Sequence, residues 1–155
     1  MEIEKVIKSK LSEIEENRNV KILYAVESGS RAWGFASDDS DYDVRFIYVR
    51  PGEEYLKLEK IRDVIDYELN DVYDINGWDL KKFLTLLHDS NPVIFEWAQS
   101  PIVYKSTDEW NKISSITNDF AQLKKLLYHY LSMSKNNYNQ FFRTEEVSYK
   151  KYFYI

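Results

Sequence analysis

Residues 27–45 read ESGSRAWGFASDDSDYDVR, so that Gly29, Ser30 and Arg31 precede four aspartates, Asp38, Asp39, Asp41 and Asp43, before the chain turns apolar. Asp41 and Asp43 are two apart, and a strand has a side-chain period of two. Both carboxylates are therefore expected on one face of the strand that starts there. Like charges held that way repel, and a hard divalent cation such as Mg²⁺ or Mn²⁺ between them relieves the cost. Upstream, Gly29 permits close backbone approach to a ligand, while the amides and hydroxyl around Ser30 can hydrogen-bond phosphate oxygens. Phosphate on one side and metal on the other is the chemistry of a nucleoside triphosphate site.

Asp, Ser and Gly also make plain solvated turns. Two more specific alternatives fail on spacing. Asp39, Asp41 and Asp43 match the first three ligand positions of a calcium loop, but Val44 stands where that loop needs glycine and Arg50 where it needs glutamate. A Walker-type loop needs G-x-x-x-x-G-K-[ST], which does not occur among the 4 glycines of this chain. Arg31 and Arg45 either neutralise phosphate or pair with the aspartates, and Arg45, two after Asp43, is expected on its face. Trp33 follows the Gly-Ser turn directly and could wall a nucleotide pocket, whereas Trp78, Trp97 and Trp110 read as packing aromatics.

These residues need a scaffold, and hydrophobic spacing supplies one. Ile3, Val6, Ile7, Leu11 and Ile14 predict an amphipathic helix over residues 2–17. VKILYAVE (20–27) and YDVRFIYV (42–49) read as strands, the first running into the turn at Gly29 and the second closed by Pro51-Gly52. IRDVIDYEL and VYDINGWD read as a hairpin about Asn70-Asp71. Asp79 is placed to cap a helix carrying Leu80, Phe83, Leu84 and Leu87 on one face. A short apolar segment, VIFEWAQ, follows, and residues from Thr107 to about Arg143 read as helix. The tail KNNYNQFFRTEEVSYKKYFYI interleaves aromatics with bases, which suits either packing on the core or contact with a single strand.

The 155 residues are 44% hydrophobic and 30% charged, the profile of one domain able to bury a core. With 0 cysteines and 2 histidines, thiolate chemistry and a histidine-rich metal site are excluded. A net charge of −5 argues against coating nucleic acid by bulk electrostatics. No long apolar run occurs and MEIEKVIKSKL is charged throughout, so a cytoplasmic protein with no membrane partner is expected.

Gly29-Ser30, ten further residues, and Asp41-Tyr42-Asp43 on a strand together resemble the signature of the DNA polymerase β-like nucleotidyltransferases. GSRAWGF, SDYDVRFIYV, NGWDLKKFL, SNP, EWAQSPIVY and KKYFY extend the resemblance, over most of residues 24–154, to the bacterial and phage subfamily of predicted nucleotidyltransferases associated with RNA repair. The resemblance implies an α/β (α+β) fold in which a small mixed sheet is flanked by helices, with a helical C-terminal part. Residues 1–105 are then expected to form the nucleotidyltransferase core, and 106–155 a helical segment packed on it. The implied reaction moves a nucleoside monophosphate from a triphosphate to an acceptor hydroxyl, on an RNA end, a protein side chain or a small molecule, and releases pyrophosphate.

The resemblance also implies a third carboxylate on a later strand, to be chosen among Asp66, Glu68, Asp71, Asp74 and Asp79. Asp74 lies inside a predicted strand between Tyr73 and Ile75, where an isolated acid is costly without a partner, and relatives tend to keep an acid there. The expected metal ligands are Asp41, Asp43 and Asp74, with Asp79 in reserve because it reads first as a helix cap. The expected nucleotide-binding residues are Gly29, Ser30, Arg31 and Arg45. Members of the subfamily usually continue past KKYFY, so a form shorter than its relatives is expected: a catalytic core, a half that pairs with another chain, as in a homodimer, or a relic. The competing class is a non-catalytic binding module, antitoxin-like or scaffolding, that kept the fold.

Overall fold

In the computed structural model, which describes residues 2–141 and Tyr152, the spacing of Ile7, Leu11 and Ile14 does what amphipathic periodicity requires. These three side chains are the buried stripe of α1 (Glu2–Arg18). They join Ile22, Ala25, Val44, Phe46, Tyr48, Ile65 and Ile75 in one apolar cluster on one face of a sheet. The sheet contains β1 (Lys21–Glu27), β2 (Tyr42–Val49), β3 (Val64–Leu69), β4 (Tyr73–Asp79) and β5 (Val103–Ser106). Their order among the described residues is β3-β4-β2-β1-β5. β1 runs antiparallel to β2 and β5, β3 antiparallel to β4, and β2 parallel to β4.

A second apolar cluster covers the other face. Leu23, Tyr24, Val26 and Ile47 from the sheet meet Phe83 and Leu87 of α4 (Leu80–His88), Ile94, Phe95 and Trp97 of α5 (Pro92–Ala98), and Trp110 of α6 (Asp108–Thr117). Trp110 stacks on Tyr24 with ring centroids 4.1 Å apart. Both cores thus hang on strand alternation: Val44, Phe46 and Tyr48 face α1, while Ile47, and by parity Asp43 and Arg45, face α4–α6. Gly77 permits the β2–β4 pairing beside Phe46, since a Cβ there would stand 2.1 Å from Phe46 Cε2.

The parallel pairing requires a crossover between β2 and β4, and α3 (Gly52–Tyr55) and β3 provide it. Two short helices go beyond the sequence expectation: α2 (Gly29–Ala32), a single turn inside the Gly-Ser segment, and α5, over the stretch read only as apolar. Asn91 caps α5 by accepting from Val93 N at 3.0 Å, with Pro92 in its first turn, the arrangement SNP encodes.

The single helix expected from Thr107 is interrupted. α6 ends at Thr117, a 3₁₀ turn spans Asn118–Phe120, and α7 runs Leu123–Phe141. Ala121 is extended (φ −71°, ψ 111°), and Gln122 N donates to Ser90 Oγ at 2.9 Å, a tertiary hydrogen bond that holds the break. The last part of the basic-aromatic tail lies outside the described residues.

Candidate active site

Strand alternation and register assemble the acids. Asp43 and Asp74 are direct partners in the parallel β2–β4 ladder, where neighbouring strands run about 5 Å apart. Both side chains reach Arg45, which is two residues after Asp43 and on its face. Arg45 Nη2 donates to Asp43 Oδ1 at 3.0 Å and to Asp74 Oδ2 at 2.7 Å, while Nη1 donates to the Asp74 carbonyl at 2.7 Å. One guanidinium thereby compensates two half-buried carboxylates.

Gly29 closes the site from the other side. Its φ is +58°, a conformation costly for any other residue, and a Cβ at this position would stand 1.9 Å from Asp43 Oδ2. Ser28 N donates to the Asp43 carbonyl at 2.8 Å, pinning the turn to β2. The Gly-Ser turn and the aspartate strand are therefore one unit.

Glu27, which sequence spacing does not single out, joins them. It is 1% exposed, and its Oε1 accepts the Asp43 N–H at 2.8 Å while Oε2 accepts the Tyr104 hydroxyl at 2.5 Å. Burial pushes its carboxyl above the ordinary glutamate range, and the hydrogen bonds from Tyr104 and Asp43 pull the other way. Burial and the Glu27 carboxylate together raise the Tyr104 hydroxyl, so it remains the donor. The one signal in the sequence is an acid closing an apolar strand immediately before the turn, and its partner on β5 is invisible to spacing.

The other expected residues fall as follows. Asp41 sits one residue ahead of β2, in the turn rather than on the strand, so strand parity does not by itself align it with Asp43. Arg31 shapes that turn: its Nε donates to the Asp41 carbonyl at 3.0 Å, its Nη2 donates to the Ser40 carbonyl at 2.5 Å, and its guanidinium lies 4.0 Å from the Tyr42 ring centroid. Ser30 is buried in α2. Asp79 caps α4, with Oδ1 accepting from Lys81 N at 2.8 Å and Oδ2 accepting from the Tyr55 hydroxyl at 2.9 Å. It lies five residues beyond Asp74, roughly 16 Å along the strand, and so belongs to the opposite end of β4.

A recess of about 430 Å³ opens over Arg45 and Asp74, with Ser28, Asn76, Trp78 and Glu96 also in its walls. Oxygen donors of this kind suit Mg²⁺ or Mn²⁺. As the side chains stand, no three acidic or histidine groups among the described residues are arranged to hold a metal, and Arg45 draws both Asp43 and Asp74 to itself. The donor chemistry fits a divalent ion provided that Arg45 yields its place.

The family described as RlaP, the RNA repair pathway DNA polymerase beta family, matches residues 3–155. The chain belongs to this family. The RlaP match spans both the Gly29–Asp43 unit and the strand carrying Asp74, and the mixed α/β architecture agrees with a polymerase β-like fold. The uncharacterized protein YcgL of Bacillus subtilis (strain 168) is 46% identical over 146 residues, covering 94% of this chain and 56% of its own length. The chain thus spans little more than half of that relative. No solved structure matches the chain. No described helix is long and apolar enough to cross a membrane.

Proposed function

We propose that the protein is a metal-dependent nucleotidyltransferase. The observation that carries this reading is the in-register pairing of Asp43 with Asp74 beside a glycine whose Cα abuts the Asp43 carboxylate. Asp43 and Asp74, with Asp41, would hold Mg²⁺ or Mn²⁺, which when bound neutralises triphosphate charge and makes the acceptor hydroxyl more acidic. The backbone and hydroxyl around Gly29-Ser30 take the terminal phosphates. Arg45 turns from the carboxylates toward phosphate oxygen, a bidentate geometry that suits its guanidinium. The acceptor hydroxyl gives its proton to solvent as its oxygen attacks the α-phosphorus, the bond to the bridging oxygen breaks, and pyrophosphate leaves with that electron pair. The family's association with an RNA repair pathway favours an RNA end as acceptor.

The test is incubation with each labelled triphosphate, Mg²⁺ or Mn²⁺, and cellular RNA or protein extract, for wild type, Asp74→Asn and Asp79→Asn. Label should enter an acceptor with wild type and Asp79→Asn but not with Asp74→Asn. Transfer that survives Asp74→Asn and is lost in Asp79→Asn would reassign the third ligand.

A second reading, a non-catalytic binding module, is favoured by α7, where Leu123, Leu127 and Leu131, spaced four apart, are all exposed. Absence of triphosphate consumption with every acceptor, together with aspartate variants that bind metal and nucleotide as wild type does, would support it.

A further inference from the structure

Trp33 differs from the other tryptophans of this chain. Trp97 and Trp110 are buried, Trp78 packs on Trp97 at 4.1 Å between ring centroids, and Trp33 is 58% exposed. It faces a recess of about 300 Å³ whose walls include Ser28, Phe95, Glu96, Gln99 and Tyr130. Ser28 and Glu96 also line the recess over Arg45 and Asp74, so the two spaces adjoin across those residues. An aromatic wall, polar groups at Ser28, Glu96 and Gln99 and a shared border with the recess over Asp74 suit a flat heteroaromatic ring covalently tied to phosphate.

We infer that this second recess binds the base of the nucleoside triphosphate, stacked on Trp33, and that Glu96 selects bases carrying an amino group. The inference rests on the nucleotidyltransferase reading and deepens it. Stacking on an aromatic side chain is tolerant of base identity, so selection must come from the polar groups. Glu96 Oε1 accepts the Tyr130 hydroxyl at 2.8 Å, which fixes the carboxylate. Burial and Glu96 push the Tyr130 hydroxyl up to about 12, so it stays a donor at neutral pH. The remaining carboxylate lone pairs can only accept. An exocyclic amine offers them N–H donors, whereas the one N–H on the pairing edge of uracil lies between two carbonyl oxygens that a carboxylate repels. Gln99 makes no side-chain hydrogen bond among the described residues and can complete the pairing with either a donor or an acceptor.

The test is equilibrium binding of GTP, ATP, CTP, UTP, inorganic tripolyphosphate and a short oligoribonucleotide, each with Mg²⁺, to wild type, Trp33→Ala, Trp33→Phe and Glu96→Gln. Melting temperatures confirm folding of each variant. Trp33→Ala should weaken GTP, ATP and CTP about tenfold, the order expected for one lost base stack, leave tripolyphosphate unchanged, and be largely rescued by Trp33→Phe. UTP should bind wild type about tenfold more weakly than GTP, and Glu96→Gln should narrow that ratio. Unchanged triphosphate binding in Trp33→Ala overturns the inference while keeping the site, as does a loss seen only with a short oligoribonucleotide, which would assign the recess to the acceptor. If neither triphosphate nor tripolyphosphate binds wild type, the underlying nucleotidyltransferase reading fails first.

Discussion

Glu27 and Asp43 are joined across β1 and β2 by a 2.8 Å hydrogen bond from the Asp43 amide to the Glu27 carboxylate. The same glutamate takes the Tyr104 hydroxyl from β5, so one buried side chain ties three strands together where the paired acids begin. Glu27→Ala removes the acceptor of two donors and is expected to cost on the order of 1–3 kcal/mol for each donor left unpaired. Glu27→Gln, which keeps one acceptor oxygen and can donate to Tyr104, should cost less. Urea unfolding of both variants measures this. Equal stability of Glu27→Ala and wild type would mean that water replaces the carboxylate and that Glu27 does not organise the site.

Arg45 stands between Asp43 and Asp74 in the space where a metal would compete. Replacing it by leucine leaves two half-buried carboxylates facing each other and should lower stability by about 1–3 kcal/mol in EDTA. Millimolar Mg²⁺ should restore more stability to Arg45→Leu than it adds to wild type. Thermal melts with and without Mg²⁺ decide the matter, and an Mg²⁺ increment no larger than that of wild type would separate the arginine from the cation site.

Gly29 and Gly34 form an internal comparison, because both have positive φ, +58° and +79°, but only at Gly29 would an added Cβ meet a neighbour within 4 Å. Gly34→Ala should therefore show the backbone cost alone, about 1–2 kcal/mol. Gly29→Ala should add the collision with Asp43 and lose divalent-dependent triphosphate binding. Comparable stability and binding in the two variants would show that the turn can move away from β2 freely.

The Lys21–Glu109 ion pair, at 2.5 Å, gives a pH dependence with a defined sign. Lys21, together with the backbone amide and the Thr107 side chain, holds the Glu109 carboxyl down at about 2. Its folded value is below its unfolded one, so its stabilisation is present above about pH 4.5 and fades as pH falls toward 2. Glu109→Gln should flatten the stability profile within that window and leave its shape above it unchanged. Both partners are exposed, so the effect should shrink in high salt.

The order of elements was largely written in local pattern. Ile7, Leu11 and Ile14 specify the buried face of α1 through helical spacing, and YDVRFIYV specifies β2 through its apolar alternation, because both signals depend only on neighbours in sequence. Residue type and spacing likewise singled out Gly29, Asp43 and Arg45, and assigned Asp79 its capping role, since a cap is satisfied within three residues, whereas the choice of Asp74 also drew on the family resemblance. The tertiary fold decided what depends on distant chain. It set Asp43 against Asp74 through parallel register, brought Tyr104 from β5 to Glu27, held the break in the C-terminal helix with a hydrogen bond from Gln122 N to Ser90 Oγ, and carried Glu96 and Tyr130 to the recess beside Trp33. Each of these joins residues at least 31 positions apart. Hydrophobic periodicity fixes which face of an element turns inward, but not which residues of other elements stand opposite it. That choice belongs to strand order and packing, and it is what gathered separated acids, an arginine and a glycine into one cluster.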